Sequence, residues 1–295
     1  MTPSLFSVSY AGYWGQHRLS AVEFIAKAAS LGYGAVQLAG KKPHLDFVAI
    51  GERELDAIAA AAAEHGVEIH TIAAYTDFTA AAQPPGTPFV DMQLAYLKSL
   101  AELGRRLGAS QLRIFSGYCY NPDNYLDEWQ TCVAAVRESA SIAAGSGLKL
   151  GLQNHHDTAV GIDAYCEFLD EVDHPNCFAM FDPWAPALHG EDLYEAGRRL
   201  APRMIQTTLA DYVKLPRYRY LPGLVNYEAM TPMLRAVPLG EGCIDNAAFL
   251  RGLRDGGFDG YVVYEMCSPL RGGGSETNLD RAASLSLAAI KKLIA

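Results

Sequence analysis

The chain has 295 residues, 24 Lys and Arg against 33 Asp and Glu for a formal net charge of −9, and half of its residues are hydrophobic. That composition buries a large core and excludes a disordered chain, and the acidic balance argues against nucleic acid or an anionic membrane as partner. No segment reaches the roughly 18 unbroken apolar residues of a membrane helix, and MTPSLFSVSY at the start lacks the basic run and apolar core of a secretion signal, so a cytoplasmic protein is expected.

Short β-rich apolar runs recur in chain order at Phe6–Tyr10, Gly34–Leu38, Val67–Tyr75, Gln111–Ser116, Leu148–Asn154, Cys177–Phe181, Met204–Leu209 and Gly260–Glu265. Stretches of helical period separate them. In the first of these, Ser20 and Glu23 spell a capping box, and Val22, Ile25, Ala28 and Ala29 predict an inner face. It breaks at Leu31-Gly32-Tyr33-Gly34. The same punctuation follows Ala57–Ala63 at Gly66, Trp129–Ala144 at Gly145 and Phe249–Leu253 at Gly256-Gly257. The longest interval, Tyr212–Pro238, is rich in Pro, Tyr and Arg and predicts a long loop able to act as a lid.

Strand–helix alternation implies parallel strands, since a crossover helix returns the chain in the same direction. Eight units, with Ala11-Gly12-Tyr13-Trp14-Gly15 after the first strand in place of a Gly-rich phosphate turn, predict an α/β chain forming one (β/α)8 TIM barrel over residues 1–295. Six scattered cysteines without a C-x-x-C pair read as buried free thiols.

In such a barrel the chemistry lies where strands end and βα loops begin. The candidates there are Tyr13, Trp14 and His17; Gln37; Tyr75 and Asp77; Ser116 and Tyr118; the run Gln153–Asp157; Asp182 and Trp184; Gln206 to Asp211; and Glu265. Asp182 and Glu265 each follow an apolar strand directly, where an unpaired charge is costly, and so point to cation binding or proton transfer. His155 and His156 are adjacent and point apart in a strand, so at most one faces the axis. Tyr13 and Trp14 either cap the mouth or, with Tyr75 and Trp184, stack on a substrate. His44, His65, His70 and His174 read as structural or exposed. Lys214, Arg217 and Arg219 offer a grip for phosphate or carboxylate, with Arg217 taken as a substrate contact, although charged loop residues are more often solvated. Arg271-Gly272-Gly273-Gly274-Ser275 offers backbone N–H groups to an anion but reads more simply as a flexible turn.

From LGYGAVQL at Leu31 to Glu265 the chain resembles the xylose-isomerase-like TIM-barrel superfamily of sugar isomerases and epimerases, which also includes endonuclease IV. The carrying motifs are LGLQNH at Leu150–His155, Phe181-Asp182, LGEG at Leu239–Gly242 followed by Ile244-Asp245, and Tyr264-Glu265. The resemblance implies one divalent metal held by Glu, Asp, His and Glu from strands five to eight. By position these fall on Gln153, Asp182, Gln206 and Glu265, so two of the four depart from the pattern. An all-oxygen set of this kind suits a weakly held Mn²⁺ or Mg²⁺ and disfavours zinc. The implied activity is a metal-assisted isomerase or epimerase acting on a carbohydrate-like or polyol substrate through an enediolate, with Glu265 as base and His155 or His156 as proton carrier. A glutamine cannot hold a proton at neutral pH, so a lyase or dehydratase on an oxidised sugar stays open. So does a non-catalytic sugar-binding barrel or subunit, and a homo-oligomer is compatible with either.

Overall fold

The computed structural model describes residues 1–79, 86–119, 122–155 and 158–295. The strands and helices follow one another as β1 (Thr2–Phe6), α1 (Ala21–Ser30), β2 (Ala35–Ala39), α2 (Glu52–His65), β3 (Glu68–Ala73), α3 (Phe89–Arg106), β4 (Gln111–Ile114), α4 (Tyr125–Gly145), β5 (Lys149–Gln153), α5 (Ile162–Val172) and β6 (Cys177–Met180). The second half continues with α6 (Trp184–His189), α7 (Leu193–Leu200), β7 (Gln206–Leu209), β8 (Asp211–Leu221), β9 (Asn226–Val237), α8 (Asn246–Asp255), β10 (Tyr261–Tyr264) and α9 (Glu276–Ile294). Strands β1 to β6 lie side by side in parallel, and β10 sits between β1 and β7. The eight-stranded sheet curls round until β6 meets β7 through a bridge between Ala179 and Met204 and a bond from the Ile205 N–H to the Ala179 carbonyl at 3.1 Å. This is the expected α/β TIM barrel.

Capping and turn chemistry agree with the sequence. Ser20 and Glu23 form the reciprocal box at the start of α1, and Gly66 ends α2 in the left-handed conformation that only glycine adopts freely. The inner face of α1 differs by one residue: Phe24 is buried with Ala21, Ile25 and Ala28, whereas Val22 is exposed. The six cysteines are free, but only Cys132 is fully buried.

Two expected elements are corrected. The first strand is Thr2–Phe6, and Ser7–Tyr10 is a 3₁₀ turn. The alternation Phe6, Val8, Tyr10 imitates a strand, yet the Ser7 and Ser9 hydroxyls accept the backbone N–H groups of Ala39 and Met266, both at 2.9 Å. Side chains therefore replace the carbonyls that a continuing strand would offer. The interval Tyr212–Pro238 is not a loop but an antiparallel hairpin, β8 and β9, paired from Asp211–Val237 to Leu221–Asn226 and exposed over most of its length.

The inside of the barrel is layered. At the amino end a polar plug joins Gln206 to Gln37 at 2.5 Å and Thr71 to Gln206 and Gln111 at 2.9 and 3.0 Å. His70 fills the register shift between β2 and β3, bonds Ser4 at 2.7 Å and stacks on Tyr261 at 3.8 Å. Above it Phe6, Val8, Ala39, Ala73 and Val263 form an apolar layer. The polar carboxyl end lies above that.

Candidate active site

Asp182 stands two residues beyond β6 and is buried. Asn154 fixes its backbone from both sides, accepting the Asp182 N–H at 2.7 Å and donating to the Asp182 carbonyl at 3.1 Å. The Gln153 amide donates to Asp182 Oδ2 at 2.7 Å. Burial pushes the Asp182 carboxyl up to about 8 against the pull of the Gln153 hydrogen bond, and the nearby Glu265 charge adds to the rise. That shift favours the protonated form of Asp182 at neutral pH.

Glu265 follows β10 directly, its N–H bonded to the Leu209 carbonyl at 3.1 Å. The Cys267 thiol donates to its Oε1 at 3.2 Å, and Tyr212 lies 3.1 Å from the same sulfur. Burial raises this carboxyl too, while the Cys267 hydrogen bond and the Arg113 charge lower it. Trp184 packs on Tyr212 with ring centres 5.2 Å apart, which ties the β6 and β10 sides of the mouth together.

On the opposite wall two cations appear that sequence reasoning passed over. Arg113, inside β4, is 1% exposed. Its guanidinium lies 4.0, 5.0 and 5.6 Å from the ring centres of Phe115, Tyr75 and Phe6. Lys41, two residues past β2, places its ammonium 3.4 Å from the Tyr75 ring centre and 4.6 Å from that of Tyr13. Burial, with the Arg113 charge behind it, brings Lys41 down to about 8. Arg113 had a signal: a lone cation within the apolar run Gln111–Ser116 is as conspicuous as an acid after one. Lys41 had none, because Gly40-Lys41-Lys42-Pro43 reads as an ordinary charged turn.

The structure thus gathers Gln153, Asp182, Glu265 and Trp184 with Arg113, and sets Tyr13, Tyr75 and Lys41 beside them. Tyr13 donates to the Lys42 carbonyl and meets Trp14 edge-on at 5.7 Å, both rings partly exposed at the rim. His155 packs against Phe115 at 4.6 Å; His156 lies outside the described residues. Arg217 is exposed in the middle of the hairpin, opposite Met230.

Gln206 does not join the group. It opens β7 at the amino end of the barrel, level with Tyr261, four residues below Glu265, and its amide is engaged by Gln37 and Thr71. The resemblance implied it as a ligand by position, but Gln206 is the first residue of β7 and the strand's carboxyl end lies three residues on, at Leu209. Among the described residues no three His, Cys, Asp or Glu side chains stand together as a metal would need. The donors at the mouth are two carboxyl groups and an amide already committed to one of them, with a buried guanidinium alongside. This set does not fit the divalent ion that the resemblance implies.

A family model described as "Xylose isomerase-like TIM barrel" matches residues 25–293. No curated protein matches the sequence. Among solved structures the chain is similar to D-psicose 3-epimerase with D-tagatose from Clostridium cellulolyticum H10, at a TM-score of 0.76, 17% identity, and 100% and 99% of the two chains covered. It is similar to the probable 3-DHS dehydratase AsbF from Bacillus anthracis, at 0.69, 19%, and 99% of each chain. It is also similar to the IolI protein with a zinc atom, at 0.75, 15%, and 100% and 98%. At these identities the likeness is one of fold.

Proposed function

We propose, from the premise that the chain belongs to the xylose isomerase-like TIM-barrel family, that it moves protons next to a carbonyl group in a small polyhydroxylated, carbohydrate-like substrate, as an isomerase or epimerase working through an enediolate. The observation that carries this reading is the pair of buried carboxyl groups at the ends of β6 and β10, both raised by burial, Asp182 to about 8.

Glu265 takes the proton from the carbon beside the carbonyl. The C–H electron pair becomes the C=C bond and the carbonyl pair moves onto oxygen. Asp182 gives its proton to that oxygen and receives the one on the neighbouring hydroxyl, so a neutral acid serves both oxygens. Returning the proton from Glu265 to the adjacent carbon completes an isomerisation. Gln153 holds Asp182 Oδ2 and leaves Oδ1 buried without a partner among the described residues, while Trp184, Tyr75, Tyr13 and Trp14 supply flat surface for a sugar. The donor set does not suit a metal ion, and the proton transfers rest on these side chains.

Elimination of water is the second reading. It is favoured by the amide at Gln153, since one base and one neutral acid suffice for a dehydration whereas Gln153 cannot serve as a second base.

Incubation of the protein with a ketose panel in D₂O separates the two. Deuterium in recovered sugar, lost in Glu265→Gln by about 10²-fold or more, supports isomerisation. An unsaturated product absorbing in the ultraviolet supports elimination. Neither outcome on any sugar, ketose or oxidised, would sink the enzymatic reading.

A further inference from the structure

We propose that Arg113 is the cation of this site: its guanidinium receives the carbonyl or carboxylate oxygen beside the reacting carbon, in the place a divalent metal would take. The inference rests on the proton-transfer reading above and narrows its substrate to compounds that present an oxyanion, or an oxygen that becomes one, to a planar two-pronged donor.

The barrel is built to hold an arginine here. Arg113 pairs in register with Ala73 of β3 on one side and Gly151 of β5 on the other, so a methyl group and a hydrogen atom flank the long side chain. A Cβ on Gly151 would come within 2.3 Å of the Met180 methyl, so Met180 closes the wall beside Arg113. Phe6, Tyr75 and Phe115 line the guanidinium with ring faces and edges, a setting that holds a planar cation without neutralising it.

Among the described residues the barrel leaves two of the three guanidinium nitrogens without an acceptor. No carboxylate lies within ion-pair distance of Arg113 among the described residues, and its Nε and Nη2 atoms are buried with no hydrogen-bond partner there. A desolvated cation with unmet donors is expensive to keep in a fold. Two further orphans, Asp182 Oδ1 and Trp184 Nε1, are buried in the same mouth. Together these offer a planar donor, an acid oxygen and an indole N–H to one polar ligand. The Arg113 charge lowers both the Glu265 and the Asp182 carboxyl, so the guanidinium acts on base and acid alike. A divalent ion added to the two carboxyl groups would face this fixed positive charge and the Lys41 ammonium on the same Tyr75 ring. The site therefore binds its anion with side chains.

Oxalate, a planar dianion with the outline of an enediolate, is the probe. The protein is freed of metal with EDTA, its metal content is measured, and oxalate is titrated by calorimetry with and without added Mn²⁺. Oxalate is expected to bind the metal-free protein with an affinity that Mn²⁺ leaves unchanged. Arg113→Lys should weaken it about tenfold or more, through loss of the two-pronged geometry. Arg113→Met should abolish it while the thermal transition stays cooperative. Binding that appears only when Mn²⁺ is restored, absence of binding by wild type, or undiminished binding by Arg113→Lys would each overturn the proposal, and the first two need no variant. The proton-transfer reading fails separately: Arg113-dependent oxalate binding without deuterium exchange or elimination sinks that reading alone, and exchange with Arg113-independent binding sinks only this one.

Discussion

Asp182 and the buried histidines make opposite use of desolvation. For Asp182 burial disfavours the charged form, so the acid stays protonated up to about pH 8. If that proton is the one passed between substrate oxygens, exchange in D₂O should fall as pH rises through about 8, and Asp182→Asn should remove both that limb and most of the rate. A flat profile between pH 7 and 9 would contradict the role. His44 and His70 are bases, so burial keeps them neutral: His44, bonded to Ser7, is driven down to about 4 and His70 to about 3. Their folded values are depressed. Both states are neutral above the unfolded value near 6.5, and below it only the unfolded chain takes up protons. Stability should therefore be level above pH 6.5 and decline toward pH 4, by about 3 kcal/mol for His44 alone at 1.36 kcal/mol per pH unit. Urea midpoints at pH 7, 5.5 and 4.5 measure this. His44→Gln should flatten the slope relative to wild type, and parallel slopes would refute the assignment.

At the scale of elements, the hairpin and the LGEG segment are fastened by one side chain. The Asp211 carboxylate accepts the N–H groups of Tyr212, Gly240, Gly242 and Ile244 at 2.9 to 3.1 Å. Gly242 is required by this contact, since a Cβ there would lie 2.0 Å from Asp211 Oδ1, and Gly240 takes a φ of +88°. Asp211→Ala leaves four donors without their acceptor and should cost on the order of 3 kcal/mol or more in urea unfolding. The outer hairpin is different. Its Tyr220–Tyr227 ring pair and Arg219–Glu228 ion pair are exposed, and a two-stranded ribbon is marginal in water by itself. Replacing Lys214–Leu234 by a short turn should leave the melting temperature of the barrel within a few degrees. A large loss would mean that the hairpin supports the barrel rather than projecting from it.

For the whole molecule, the barrel's seam lies between β6 and β7. Every other neighbouring pair shares a ladder, but this one has a single bridge, the Ile205–Ala179 hydrogen bond and the Thr207 hydroxyl on the Phe181 carbonyl at 2.9 Å. Amide exchange should be faster for Ile205 than for the β1–β10 ladder residues Val262 and Val263. Thr207→Val should widen the difference by removing the hydroxyl donor, and equal protection across seam and ladder would show a barrel uniformly closed. No helix among the described residues is long and apolar enough to cross a membrane.

The alternation of β-rich runs with capped helices was enough to establish a parallel barrel, because local periodicity and crossover geometry are properties of neighbouring residues. It was enough as well to mark Asp182 and Glu265, since an acid ending an apolar strand is visible without coordinates. Asp211 stood in the same strand-end stretch, but nothing local showed that four N–H groups from the LGEG segment would close on it. Register is another matter. Whether Gln206 lies at the top or bottom of β7 depends on which residue pairs with Tyr261, and a slip of a few residues leaves the apolar pattern of a short strand intact. The Tyr212–Pro238 stretch became a hairpin because its two halves find each other across a four-residue turn, a pairing that its scattered prolines and charges conceal. Arg113 became part of the site only when the sheet brought Ala73 and Gly151 to its flanks and curled the strands that carry Asp182 and Glu265 into the same barrel. A charge acquires its role from distance and burial, and those exist only once the strands have closed.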